Sequence, residues 1–294
     1  MKAPPPSADM ITILSWGGIG DTLRNIGLVP HQYLFQKFGI RCRVVRRPQQ
    51  PGERDCPPVP IFQELVERSP TLLWTGAMDN PPRHQRIGNR AVREIVKLLH
   101  HNTPQYFPFN FQLTEPECAM LPARPPGFQI GIQTHLSGVP SKEWGIANWQ
   151  TYLRILLAES PGIFIVLIDH EERVGELCFD PRISSTRGLN IAQSIAVAEQ
   201  VNLMVSIDSW SKYVAASRKI PQLVIVPSQS EYHNPEGLAR EWFEGIFNQP
   251  SNTLIGLTGT LQHPRTTLDR IEDLSPQSLA HQTLPLIQKY RHAP

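Results

Sequence analysis

The residues that could do chemistry in this chain sit in short loops after apolar runs. The earliest is Gly17-Gly18-Ile19-Gly20-Asp21, which follows the apolar run MITIL. Gly17, Gly18 and Gly20 let a ligand approach the backbone closely. Asp21 opens what reads as a helix, where the dipole favours the ionised form. An ionised carboxylate there can take a proton from an attacking hydroxyl, or simply cap the helix. Both roles stay open from the loop alone. The stretch is not a full G-x-G-x-x-G dinucleotide fingerprint, and the second strand ends in VVRR rather than an acid. It also lacks the GK[ST] of a P-loop.

Three further loops carry polar groups. In QTHLSGVPSKEWGIANW, Lys142 offers a cation to a phosphate, while Ser137 and Gly138 offer hydroxyl and backbone donors. A lone loop lysine is also commonly just solvated, and Trp144 and Trp149 read as packing residues. In LIDHEERVGEL, Glu171 or Glu172 can accept two hydrogen bonds from a ribose diol, or serve as acidic residues at a helix start. In SIDSWSKYVAA, Asp208 ends a strand and Ser209 begins a helix, a place where free N–H groups suit a diphosphate. Capping accounts for Asp208 equally well.

The elements that must hold these loops alternate. Strands are predicted at Met10–Ser15, Arg41–Arg47, Thr71–Thr75, Phe128–Ile132, Ile163–Ile168, Leu203–Ile207 and Gln222–Val226. Between them lie amphipathic helices from Asp21 to a break at Pro30, at Ile61–Arg68, Ala91–His101, from an Asn148 N-cap, at Glu171–Cys178, at Ile191–Gln200 and from Ser209. A last helix follows Ser275-Pro276. Strand–helix alternation of this kind implies parallel sheets covered on both faces, with ligands beyond the carboxyl ends of strands. The stretch PARPPG at 122–127 is the best linker. The expected architecture is therefore α/β, two Rossmann-like domains facing across a cleft, residues 1–124 and 125–294. The last helix is a candidate to pack back on the first domain.

Bulk properties exclude several classes. The 294 residues carry a net charge of +2, which gives no broad electrostatic footprint for nucleic acid. No apolar run reaches the ~20 residues needed to span a bilayer. The amino-terminal MKAPPPSADM lacks the apolar core of a secretory signal. Four scattered cysteines show no metal or disulfide spacing. A cytoplasmic protein is expected, with at most peripheral membrane contact through basic residues such as Arg41, Arg43, Arg46 and Arg47, a run that also reads as a solvated strand edge.

Taken in order, strand-GGIGD-helix, the K-x-W-x(4)-W segment, the acidic post-strand loop and strand-DS-helix resemble the bacterial ADP-heptose:lipopolysaccharide heptosyltransferases, glycosyltransferase family nine. The match is best over about 128–227. The resemblance implies a GT-B fold and an inverting, metal-independent transfer of sugar from a nucleotide-diphosphate donor to an acceptor hydroxyl. It implies Asp21 as general base. It implies Lys142, Glu171 or Glu172, Asp208 and Ser209 around the donor, on the carboxyl-side domain. No cofactor is implied, and no D-x-D metal motif occurs. The family usually continues D-[ST]-G-x-x-H, whereas here Trp210 replaces the glycine and Tyr213 the histidine, with Lys212 beside it. Those departures keep two alternatives in view: a catalytically impaired sugar-nucleotide binder, and a sugar-nucleotide epimerase of similar fold.

Overall fold

The computed structural model describes residues 11–15, 18–46, 59–77, 99, 105–134, 143–169, 172–227, 246, 249–260 and 263–291. The chain divides into two compact units, Met1–Gln112 and Leu113–Pro294.

The first unit is built on a three-stranded parallel sheet in the order β1-β2-β3, with β1 at Ile11–Ser15, β2 at Cys42–Arg46 and β3 at Leu72–Ala77. Its strands are short apolar runs, and Ile11, Ile13, Val44 and Val45 are fully buried. Helix α1 (Ile19–Gly27) buries Leu23 and Ile26. It ends where a side chain has no room: a Cβ on Gly27 would stand 3.0 Å from the Tyr106 ring and 3.2 Å from Phe109. The Gly27 carbonyl instead accepts the Phe107 N–H at 2.7 Å, so the stretch from residue 105 packs on the helix end. The predicted break at Pro30 is present, because Pro30 stands immediately before α2 (His31–Phe38). Gly39 closes α2 in the left-handed region, φ 70°, with its N–H bonded to the Phe35 carbonyl and the Ile40 N–H to that of Leu34. Helix α3 (Val59–Glu67) covers the sheet with Phe62, Leu65 and Val66. The helix predicted at Ala91–His101 lies outside the described residues apart from Leu99.

The second unit begins with a short helix, α4 (Glu115–Ala119), ahead of the Pro-rich stretch read as the linker. Glu117 of α4 accepts the Asn190 amide at 2.7 Å, and its carbonyl accepts Gln193 at 2.9 Å. Those bonds tie residues 114–119 to the second unit. A six-stranded, wholly parallel sheet follows in the order β6-β5-β4-β7-β8-β9. Here β4 is Phe128–Gln133, β5 Ile163–Leu167, β6 Ile183–Ser185, β7 Leu203–Ile207, β8 Gln222–Ile225 and β9 Asn252–Ile255. Strands β4 and β7 are buried along their full length, as the largely apolar strands of a doubly covered sheet should be, with Gln129, Gln133 and Ser206 as their polar positions.

Helix α5 (Ile146–Glu159) starts two residues before the expected Asn148 cap. Gly145, at φ 79°, is the cap, and the Asn148 amide reaches back to the Trp144 carbonyl at 2.8 Å. Trp144, Trp149 and Tyr152 pack edge to face, the two indoles 4.7 Å apart, so they are core residues as read from the sequence. Helix α6 (Ile191–Ala198) is capped by Asn190, and α7 (Ser211–Ser217) lies between β7 and β8. A hairpin, β10 (Leu257–Thr260) and β11 (His263–Thr266), precedes the last helix, α8 (Pro276–Arg291). Ser275 caps α8 through the Ser278 N–H. Helix α8 lies on α5 within this unit: the Tyr152 hydroxyl meets Thr283 at 3.0 Å, and the Trp144 indole donates to the Leu274 carbonyl at 2.7 Å.

Candidate functional site

Each unit places an aspartate beyond a parallel strand: Asp21 in the first turn of α1 and Asp208 directly after β7. In the first, Gly18 precedes α1 and its N–H donates to the Asp21 carboxylate at 3.3 Å. The Arg24 guanidinium lies 3.6 Å from the same carboxylate. About a quarter of the Asp21 side chain (26%) remains exposed, so the group caps its helix and still meets solvent. Gly18 has an ordinary extended backbone, φ −83° and ψ −172°, and a Cβ there would touch nothing within 4 Å. Gly20 lies in the first turn of α1, and Gly17 is outside the described residues.

In the second unit the strand order reverses between β4 and β7. Chain order runs β4 to β5 to β6 on one side, then returns to β7 on the other, which is the topological switch point where open parallel sheets bind ligands. The residues beyond its two strands are Thr134 and Asp208. Gln133 spans the gap, its side-chain carbonyl accepting the Ser211 N–H at 3.3 Å. Asp208 is paired with Lys212, one helical turn on, and both side chains are almost fully buried (1% and 4% exposed). The Lys212 ammonium also lies 4.6 Å from the centre of the Tyr213 ring. A cation thus does stand beside Tyr213, although the two residues are sequence neighbours, and it is neutralised by Asp208.

The expected helix start at Ser209 is displaced. Helix α7 begins at Ser211, and Trp210, buried and in right-handed helical conformation, occupies the cap position. Residues 208–210 form a bend and turn ahead of the helix. The hydroxyl oxygens of Ser206, Ser209 and Ser211 are buried and make no hydrogen bond among the described residues. Native structures rarely leave such groups unsatisfied, so these three are available to a ligand or to water.

One acidic residue here escaped the sequence reading. Asp169 follows β5 and is buried, accepting the Thr134 hydroxyl at 2.8 Å. The Thr186 hydroxyl accepts the Asp169 N–H at 3.0 Å and faces its carbonyl at 3.2 Å. Three neighbouring strand ends, β4, β5 and β6, are thereby joined at the edge that carries the switch point. Its sequence signal is position, the first acid after IFIVLI. Ser137, Gly138, Lys142 and Glu171 lie outside the described residues. Glu172 opens a 3₁₀ turn, Glu172–Leu177, and its side chain is also outside them. Among the described residues no group of three His, Cys, Asp or Glu side chains could hold a metal ion.

The arginines read as a possible membrane contact are not one surface. Arg46 is buried with its guanidinium 4.2 Å above the Phe62 ring, and Arg43 donates to Thr12 at 2.7 Å. Arg41 is exposed, and Arg47 lies outside the described residues. Burial of the apolar strand β2 carries Arg46 inward with it, which removes it from any lipid contact.

No model of a known protein family matches the sequence, and no curated protein sequence matches it. Solved structures do match. The E. coli ADP-heptose lps heptosyltransferase II superposes with a TM-score of 0.58 at 14% identity, over 96% of this chain and 99% of that one. A glycosyl transferase family 9 structure from Veillonella parvula gives 0.58 at 12% identity, over 98% and 100%. The E. coli heptosyltransferase WaaC with ADP-2-deoxy-2-fluoro heptose gives 0.52 at 13%, over 94% and 99%. The α/β class with parallel sheets is thus as expected, and the fold of the whole chain is the one these glycosyltransferases share.

Proposed function

We propose that this chain is an inverting, metal-independent glycosyltransferase of the cytoplasm that moves a sugar from a nucleotide-diphosphate donor to an acceptor hydroxyl. The observation that carries the reading is a conjunction. The fold matches heptosyltransferases over nearly their whole length, and the strand–Asp–Ser–helix segment falls at the switch point of the second sheet.

In this reading residues 125–294 hold the donor. The Ser209 and Ser211 hydroxyls hydrogen-bond the diphosphate, with Gly138, Ser137 and Lys142 supplying further donors and charge. Glu171 or Glu172 takes the ribose diol. The Asp208–Lys212 pair is internally neutral, so it shapes the turn rather than repelling an anion. Trp210 and Tyr213 wall the site. The amino-side unit supplies Asp21, whose carboxylate accepts the acceptor hydroxyl's proton as its oxygen bonds to the anomeric carbon. The bond from that carbon to the diphosphate oxygen breaks with its electron pair, and fixed donors stabilise the charge on the leaving group. No D-x-D pair exists to recruit a metal, and no cofactor is required. ADP-linked sugars are the first donors to test, since the neighbouring structures hold ADP or ADP-heptose analogues.

The test is release of nucleoside diphosphate from ADP-heptose and other nucleotide sugars, with and without acceptor hydroxyls, alongside a thermal-shift series. Acceptor-dependent release that is lost in Asp21→Asn, with the donor's thermal shift kept, is expected. No shift with any nucleotide sugar would sink the reading. A second reading rests on the buried Trp210 and the neutral pair: a binder without transferase activity. It shows itself as a thermal shift with no release under any acceptor.

A further inference from the structure

The two faces of strand β7 rest on different material. Leu203, Val205 and Ile207 belong to the apolar core of the second unit. Met204 and Ser206 alternate onto the other face. Parallel register puts Gln133 of β4 beside Ser206 and Gln222 of β8 beside Met204, so three polar side chains share that face. Both glutamines reach the start of α7. The Gln133 side-chain carbonyl accepts the Ser211 N–H, and the Gln222 amide donates to the Lys212 carbonyl, each at 3.3 Å. Ser206, on the strand between them, therefore lies beneath the first turn of α7.

Three oxygens of this layer are left over. Ser206, Ser211 and Gln222 are fully buried, and Ser206 Oγ, Ser211 Oγ and Gln222 Oε1 find no hydrogen-bond partner among the described residues. Native proteins seldom leave such atoms unsatisfied, and a trapped water with about three partners is the usual remedy. The chemistry selects the occupant. Because the Gln222 amide nitrogen is engaged by a carbonyl, its Oε1 faces elsewhere and can only accept, so the occupant must donate, which a bare anion does not. A metal cation would meet three neutral oxygens, while the nearby Asp208 carboxylate already holds the Lys212 ammonium. A neutral molecule that both gives and takes hydrogen bonds is required, and water is the smallest.

We propose that a buried water links Ser206, Ser211 and Gln222 under α7, and that Ser206 and Gln222 are positioning residues which, through this water, set the direction of the Ser211 hydroxyl. The aiming of Ser211 rests on the donor reading given above; the water itself does not. The buried Ser206 hydroxyl has no other acceptor among the described residues, so it donates to the water oxygen. The water gives one hydrogen to Gln222 Oε1 and the other to Ser211 Oγ. Ser211 then keeps its own hydrogen for an oxygen of the diphosphate. The row of hydrogen bonds runs one way, from the sheet to the ligand, and each bond polarises the next.

The experiment pairs crystallography with titration calorimetry on the full chain, with ADP as the probe. One ordered water within hydrogen-bond distance of all three oxygens is expected in the parent, and its loss is expected in Ser206→Val. Ser206→Thr, equal in shape to the valine variant but with a hydroxyl, should keep it. ADP should bind Ser206→Val and Gln222→Met roughly tenfold more weakly than the parent, and Ser206→Thr within about twofold of it. Where the larger side chains do not fold, Ser206→Ala, which adds no atoms, repeats the comparison. Coupling separates positioning from mere support of the fold. Ser211→Ala should itself weaken ADP roughly tenfold, and adding the Ser206 change to it should cost nothing more, because Ser206 acts only through Ser211. A parent without the water, a Ser206 variant with parental ADP affinity, or equal losses in both backgrounds would overturn the proposal. A parent that holds the water yet binds no ADP would overturn the donor reading, and with it the aiming of Ser211, while supporting the water site.

Discussion

The two aspartate turns begin from similar sequence, a buried parallel strand running into a loop and a helix, and finish in opposite electrostatic states. Asp21 keeps a quarter of its side chain in solvent, accepts a long backbone bond from Gly18 and lies beside the Arg24 guanidinium. Asp208 is sealed inside with a lysine as counter-ion. A carboxylate in solvent contact can exchange a proton with something arriving from outside. One buried against an ammonium is fixed in place, and its worth lies in the shape it maintains. The same residue type beyond a parallel strand is thus left in solvent contact in one unit and buried in an ion pair in the other.

The contrast is sharpest if the partner of the buried carboxylate is taken away. Lys212→Met should destabilise the second unit by about 3–5 kcal/mol, because it leaves an uncompensated buried charge. The double variant Asp208→Asn, Lys212→Met should recover most of that loss. Urea unfolding, with hydrogen exchange of β7 and β8 as the local probe, measures both. If the single variant costs under about 1 kcal/mol, the pair is not the buried lock described. Asp21→Asn should behave in the opposite sense. Stability should change by less than about 1 kcal/mol, the size of a capping contribution. Any transferase rate should fall roughly 10²–10⁴-fold, the usual share of a general base.

The units should also differ in their response to acid. His31, in the first unit, is fully buried with Nδ1 2.6 Å from the Thr71 hydroxyl. Burial pushes its pKa down from 6.5 to about 4, against a smaller opposing effect of the Pro108 carbonyl. Between those values the unfolded chain binds a proton that the folded one does not, so stability rises with pH. The contribution is complete above about pH 6.5 and is lost as pH falls towards 4, roughly 3 kcal/mol in all. Protection factors across residues 31–38, taken relative to the intrinsic exchange rate at each pH, should fall over that window in the parent and show a flatter pH profile in His31→Gln. The smallest effect is expected where the second unit is most redundant. Tyr152→Phe removes one buried hydroxyl, but Thr283 still donates to the Leu279 carbonyl, so the cost should be about 1 kcal/mol or less by urea unfolding.

Much of this was legible without coordinates. Strands such as Leu203–Ile207 announce themselves, because a doubly covered parallel strand is apolar at nearly every position, Ser206 being the exception here. The helix caps were harder. Asn148 and Gly145 are both good cap residues, and only the backbone, turned left-handed at Gly145, decides between them. The Asp208–Lys212 pair has the four-residue spacing of helical neighbours, but Asp208 reads as the end of a strand, so the spacing carried no signal. Asp169 was hidden because its partners, Thr134 and Thr186, come from strands far apart in the chain.

The bonds from Glu117 to Asn190 and Gln193 have a practical meaning for anyone dissecting the molecule. A fragment cut at the proline-rich stretch, beginning near residue 125, would strip the cap of α6 of an anchor and leave two amides hunting for water. A fragment beginning at Leu113 carries its own fastening, and that is where the scissors belong.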